Sequence, residues 1–205
     1  MKPLPLILGF LPLVTFSLLA RLLPSHDFGL AALISAVVAV VAIAAHRPLW
    51  PPMILTGSSL VLLAVLTIVG FAASAGTDRW LATWMAPAFA GVIGLIILAL
   101  VPVMPFTEQF ARQSTPQQYW SSPTFKQINR VLSLAWGGAT VVIGISRIVA
   151  AAIKNQGGGH VLQLVFSAAI PVVILIYMLK FSKSYPERVT HSQAQPATDV
   201  SGRSA

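Results

Sequence analysis

Cysteine is absent from the 205 residues, which excludes disulfides, thiolate metal sites and cysteine nucleophiles together. Acidic residues are nearly as scarce: Asp27, Asp78, Glu108, Glu187 and Asp199 are the full set, and none falls inside an apolar run. A proton- or sodium-driven carrier usually binds and releases its ion on an intramembrane carboxylate, so this shortage weighs against an ion-driven pump. It leaves anion paths and backbone-carbonyl sites untouched. Histidine is thin too. His26, His46, His160 and His191 show no HxxxH or HExxH spacing, and a tetrahedral site would need three separate loops to converge, so neither a metal nor any other cofactor is expected.

Apolar residues fill the space that charge leaves. They make up 56% of the chain against 9% charged, with a mean hydropathy of +0.82. A soluble domain of this size could not hide that surface, because its helices need a polar outer face. About 20 apolar residues cross a hydrocarbon core of ~30 Å. Runs of that order at Leu4–Leu23, Phe28–Ala45, Met53–Ala75, Leu81–Met104, Val131–Ile153 and Val161–Phe181 predict an all-α integral membrane protein, a bundle of six transmembrane helices in one domain over 1–185. The first run has no small-x-small cleavage site before Arg21 and is expected to be retained as a span. The polar stretch 186–205 is expected to be a disordered tail.

Basic residues set the expected orientation, because they concentrate on the cytoplasmic side. With the N-terminus inside, Lys2, Arg47, Arg112, Lys126, Arg130, Lys180, Lys183, Arg188 and Arg203 are cytoplasmic. Arg21, Arg79, Arg147 and Lys154 lie on or near the other side. Both termini are therefore expected inside. The net charge of +8 then faces phospholipid headgroups, anionic ones among them, and no nucleic-acid partner is expected because the chain has no folded basic module.

Most connections are short, which makes sequential spans antiparallel neighbours. Pro24–Asp27, Gly76–Trp80 and Lys154–His160 are expected outer corners, and the proline-rich His46–Pro52 a stiff inner one. Residues 105–130 form a longer inner segment carrying Phe106, Phe110, Tyr119, Trp120 and Phe125. Thr115-Pro116-Gln117-Gln118 has the pattern of a capping box, and Ser122-Pro123 repeats cap-then-proline. Two expectations stand for this segment. Either it lies on the inner leaflet, with Phe106, Phe110, Arg112, Trp120, Lys126 and Arg130 touching membrane or partner, or it is an ordered loop packed over the bundle floor. An aromatic belt accounts for Trp50, Trp80, Trp84 and Trp136.

Arg147 is the one charge well inside an apolar run. Ser133, Gly137, Thr140, Gly144 and Ala151 recur at alternating steps of four and three, the period of a helix-packing seam, and Arg147 falls on it. It should therefore face other helices or a cavity, either as a structural charge or as part of a pocket. Proline supplies acceptors nearby. Pro171 leaves the carbonyl of Ser167 without its helical donor, and Pro87 does the same for Thr83. Arg147, Arg21, Ser167 and Thr83 are thus the candidate site for an anionic ligand or lipid headgroup, with Ser133, Gly137 and Gly144 as packing positions.

At Phe10-Leu11-Pro12-Leu13-Val14, and again at Leu132-Ser133-Leu134-Ala135-Trp136 followed by Gly144, the chain resembles the intracellular septation protein A family of small bacterial inner-membrane proteins. The family typically has Asn where Ser133 and Arg147 stand. The resemblance implies a role in the cell envelope: membrane homeostasis, septation, and contact with inner-membrane division or envelope proteins. Homo-oligomers stay open, and no enzyme activity is implied. Two functions compete. One is a non-enzymatic scaffold or lipid-contacting factor. The other is a transporter or channel for a small or lipidic anion, recognised by Arg147 and Arg21. An enzyme ranks third, because the spans hold no acid–base pair.

Overall fold

The computed structural model describes residues 3–45 and 54–194. Among these the chain is helical with no strand. Helix α1 (Pro3–Leu22) leads through a 3-10 turn at Ser25–Asp27 into α2 (Phe28–Ala45), and α3 (Ile54–Ala72) follows. Next come α4 (Ala75–Trp80), a π-helical turn (Leu81–Met85) and α5 (Ala86–Leu100), which together form one rod. Short α6 (Phe106–Arg112) precedes the 33-residue α7 (Pro123–Asn155). The last rod is α8 (His160–Leu164), a second π turn (Val165–Ala169) and α9 (Ile170–Ala194). Helices satisfy every backbone group internally, which is what a chain this apolar needs in lipid.

Among the described residues five helices are long and apolar enough to cross a membrane: Ser25–Ala45, Ile54–Ala72, Ala75–Leu100, Pro123–Asn155 and His160–Thr190. The described apolar part of α1, Gly9–Leu22, is shorter. Small residues let these helices approach closely, as they must where lipid supplies no hydrophobic drive for association. On the α5–α7 interface a Cβ on Gly144 would overlap the backbone of Gly91, and one on Gly94 would lie 2.7 Å from the Val141 nitrogen. Gly29 and Gly70 make the same backbone-to-backbone approach between α2 and α3. Phe16 anchors the middle of the core, edge-on to Phe28 with centroids 5.7 Å apart and tilted on Phe89 at 4.7 Å. The last rod is peripheral: 6% of its most apolar window is buried, against 33–44% in the other four spans.

Several expectations change. Phe106 and Phe110 are core residues, 2% and 5% exposed, and cannot touch a membrane surface. Phe110 reaches Gly9 on α1, while Gln109 Oε1 accepts the Ile54 N–H at the start of α3. The short α6 is thus a plug under the bundle, since an aromatic side chain gains as much from a protein core as from an interface. Trp136 is likewise buried, tilted on Phe10 and donating its Nε1–H to Ser182 Oγ at 2.9 Å, so it is no belt residue. Residues 75–80 are helical and continuous with α5, and the corner shrinks to Ala73-Ser74. Pro116 begins only a 3-10 turn, whereas Ser122 does cap α7, its Oγ accepting the Phe125 N–H at 3.2 Å. Helix α9 runs through Pro186 to Ala194, because polarity alone does not end a helix and Thr190 donates back to the Pro186 carbonyl. The turn at His46–Pro52, with Trp50, and the tail beyond residue 194 lie outside the described residues.

Candidate functional site

The site grows out of two prolines. Neither Pro87 nor Pro171 has an N–H, and each ring would clash with the carbonyl four residues earlier. Both rods answer in the same way, with a π turn that ends two residues before the proline. In each the bond lengthens to i→i−5, from the Ala86 N–H to the Leu81 carbonyl and from the Ile170 N–H to the Val165 carbonyl. Such bulges inside helices are frequent at functional sites. Side chains from other helices take up carbonyls in the second turn. Ser146 Oγ donates to the Phe166 carbonyl at 2.6 Å, and Arg21 Nη2 donates to the Ser167 carbonyl at 3.4 Å.

Between the two bulges lies a cavity of about 640 Å³, within the range of small-molecule pockets. All four candidate ligand residues, Arg147, Arg21, Ser167 and Thr83, line it. Helix α1 presents Ser17 and Arg21, which share a face at i, i+4. Helix α7 presents Arg147, Ala151 and Lys154 from one face, and the π turn before α5 presents Ala82 and Thr83. Arg147 Nη1 donates to Ser17 Oγ at 2.8 Å, while its Nε is buried with no partner among the described residues. Thr83 Oγ1 donates to the Arg79 carbonyl at 2.7 Å, so toward the cavity this hydroxyl acts as an acceptor.

The balance of charge decides what the cavity can do. Among the described residues three cations line it, Arg21, Arg147 and Lys154, and no carboxylate does. A guanidinium has five donors, and each arginine here makes one hydrogen bond to the described protein. Asn155 and Gln163 add amide donors at the same end. Donors in excess, cations without counter-ions and a roomy polar lining suit an anion, and a planar guanidinium is the group that grips carboxylate or phosphate with two parallel bonds.

The remaining predicted residues sit elsewhere. Ser133, fully buried, accepts the Thr107 N–H at 3.2 Å and exchanges a 2.9 Å bond with the Thr107 hydroxyl, which ties α6 to α7. Gly137 packs under Leu98 and Ile97, and Gly144 against Gly91. At the α6 end of the bundle, far along α7 from the cavity, Arg112 pairs with Glu108 at 2.6 Å and lies 4.9 Å over the Trp120 ring. Trp120 in turn donates to the Thr115 carbonyl, and Lys126 and Arg130 are exposed.

Sequence reasoning missed Ser17, Lys154, Asn155 and Gln163 as lining residues. Spacing held a signal for two of them, since Ser17 is one turn before Arg21 and Lys154 two turns after Arg147. Asn155 and Gln163 carried none, because a loop decides where they meet. Asp78, expected in a loop, is buried, its Oδ1 without a partner among the described residues, and lies outside the cavity lining. No group of three or more metal-ligating side chains occurs among the described residues. Comparisons with protein families, with curated proteins and with solved structures gave no match, so the cavity's own chemistry is what a functional conclusion can rest on.

Proposed function

We propose that this is a six-span bacterial inner-membrane protein, with both termini cytoplasmic, that binds a small or lipidic anion in the cavity between its two π turns. The carrying observation is the trio Arg21, Arg147 and Lys154 around one cavity with no carboxylate among its described lining residues. Burying a guanidinium in a span costs at least ~2.5 kcal/mol on insertion scales. A purely structural Arg147 would recover that cost by packing against acceptors on all sides. Instead it makes one hydrogen bond to the described residues and its side chain lines the cavity, which favours ligand binding over a packed scaffold. The orientation is supported by the nine-to-four split of basic residues. Envelope and membrane homeostasis, the role the septation-family resemblance implies, is the proposed cellular setting, with phospholipids and other envelope proteins as partners. Binding needs no covalent chemistry, and among the described residues no Asp, Glu or His lines the cavity.

Thermal unfolding of the detergent-purified protein tests this reading, with inorganic phosphate, pyrophosphate and dihexanoyl phosphatidylglycerol as probes. An occupied site stabilises the fold by about 2.7 kcal/mol at a hundredfold excess over Kd. At least one probe should raise the melting temperature of the native protein and leave Arg147→Leu unmoved. No response to any probe would overturn anion binding and restore the scaffold reading.

A further inference from the structure

We propose that the anion is the phosphodiester headgroup of a membrane phospholipid, and that it enters sideways, between α1 and the last rod. This rests on the anion-binding reading above and names the source of the anion. The first observation is how the walls are joined. Helix α1 packs on α2, α3 and α5, whereas α8, its π turn and α9 pack on α7. Among the described residues α1 forms no extended interface with α8 or that π turn. At the level of the cavity the gap between them is bridged by the Arg21–Ser167 hydrogen bond, at 3.4 Å already beyond the usual N–H···O range. That bridge is a weak latch made by one of the cavity's own cations.

The second observation is the apolar surface of α1 below the latch. Val14 and Leu18 stand seven and three residues before Arg21, on its side of α1, and are 55% and 54% exposed. On the last rod Leu175, eight residues after Ser167, is 44% exposed. Seven residues of helix carry Val14 about 10 Å deeper than Arg21. Below the cationic pocket, on the face of α1 that carries Arg21, an exposed apolar strip thus runs toward the membrane centre. That is the shape of an amphiphile: phosphate against Arg21 and Arg147, with Lys154, Asn155 and Gln163 around the polar head, and an acyl chain along Val14, Leu18 and Leu175. A free phosphate ion would make no use of the apolar strip.

The test is thermal unfolding of the full-length protein in neutral detergent with three probes at matched concentration. They are dioleoyl phosphatidylglycerol in mixed micelles, inorganic phosphate, and dioleoylglycerol, which has the chains without the phosphate. Phosphatidylglycerol should raise the melting temperature by several degrees, and the other two should leave it unchanged. Arg147→Gln, and separately the exposed Arg21→Gln, should each need at least tenfold more phosphatidylglycerol for the same shift. Leu18→Trp, which changes the shape of the apolar strip and leaves the cations in place, should weaken the lipid response as well. An equal response to inorganic phosphate would overturn the lipid source and leave anion binding standing. A response to dioleoylglycerol equal to that of phosphatidylglycerol would overturn phosphate recognition. A phosphatidylglycerol shift undiminished in both arginine variants would place the lipid outside this cavity and overturn the inference. Silence from every probe would remove it together with the anion reading.

Discussion

A single methyl group at Gly144 should loosen the wall of the cavity. A Cβ there overlaps the Cα and backbone nitrogen of Gly91 on α5, at a separation real Cβ atoms essentially never show. Backbone cannot turn aside as a side chain can, so relief requires the two helices to separate. Restoring ordinary contact, which begins near 3.4 Å, moves α5 and α7 apart by about 1 Å. A gap of that size forfeits roughly a quarter to a half of the dispersion energy of each affected atom pair. Overpacking of this kind costs ~1–3 kcal/mol, and with rigid backbone on both sides the upper end applies. Replacing a mid-helix glycine by alanine returns about 1 kcal/mol of helix propensity, which leaves Gly144→Ala destabilised by about 2 kcal/mol. Gly138 is the internal control, since a Cβ there meets nothing within 4 Å. Gly138→Ala should keep the propensity gain of about 1 kcal/mol, so the two variants differ by about 3 kcal/mol. Denaturant titration in mixed micelles, followed by tryptophan fluorescence, measures both. Because Gly144 is one turn from Arg147, the anion-dependent thermal shift should shrink in Gly144→Ala and persist in Gly138→Ala. Equal stability of the two variants would refute the close approach of α5 and α7, and with it the cavity wall built on that approach.

Two further outcomes follow from the same structure. Phe110→Ala should lose ~3–5 kcal/mol, the cost of emptying a fully packed aromatic site, in the same denaturant titration. A loss below about 1 kcal/mol would return Phe110 to a membrane or solvent surface. For orientation, the cysteine-free chain accepts single reporters directly: an impermeant thiol reagent on intact cells should label Gly158→Cys and spare Ser114→Cys and Ser192→Cys. The reverse pattern would invert the topology.

Local covalent chemistry made much of this protein legible without coordinates. A proline lacks an N–H wherever it stands, so the freed carbonyl of Ser167 and the weakened turn at Thr83 follow from Pro171 and Pro87 alone. The spacing of Ser133, Gly137, Thr140 and Gly144 is a property of one helix, and it marked the buried face of α7 and put Arg147 beside it. Hydropathy likewise showed where the chain turns apolar. Hydropathy does not say which apolar residue faces lipid and which faces protein, because in a membrane both environments select the same side chains. That is why Phe106 and Phe110 read equally well as an interfacial anchor or as a core plug, and why their burial under α1 and α3 was decided only by how α6 folds back. The same limit applies beside Arg21. Val14, Leu18 and Leu175 look alike in sequence to the buried Phe16 and Leu63, and only the packing of the helices leaves them exposed. Sequence thus determined which groups would be left without backbone partners. Tertiary packing decided which of them face one another, because bringing Arg21, Arg147 and Lys154 to one cavity depends on the rotation and separation of helices that no local pattern encodes.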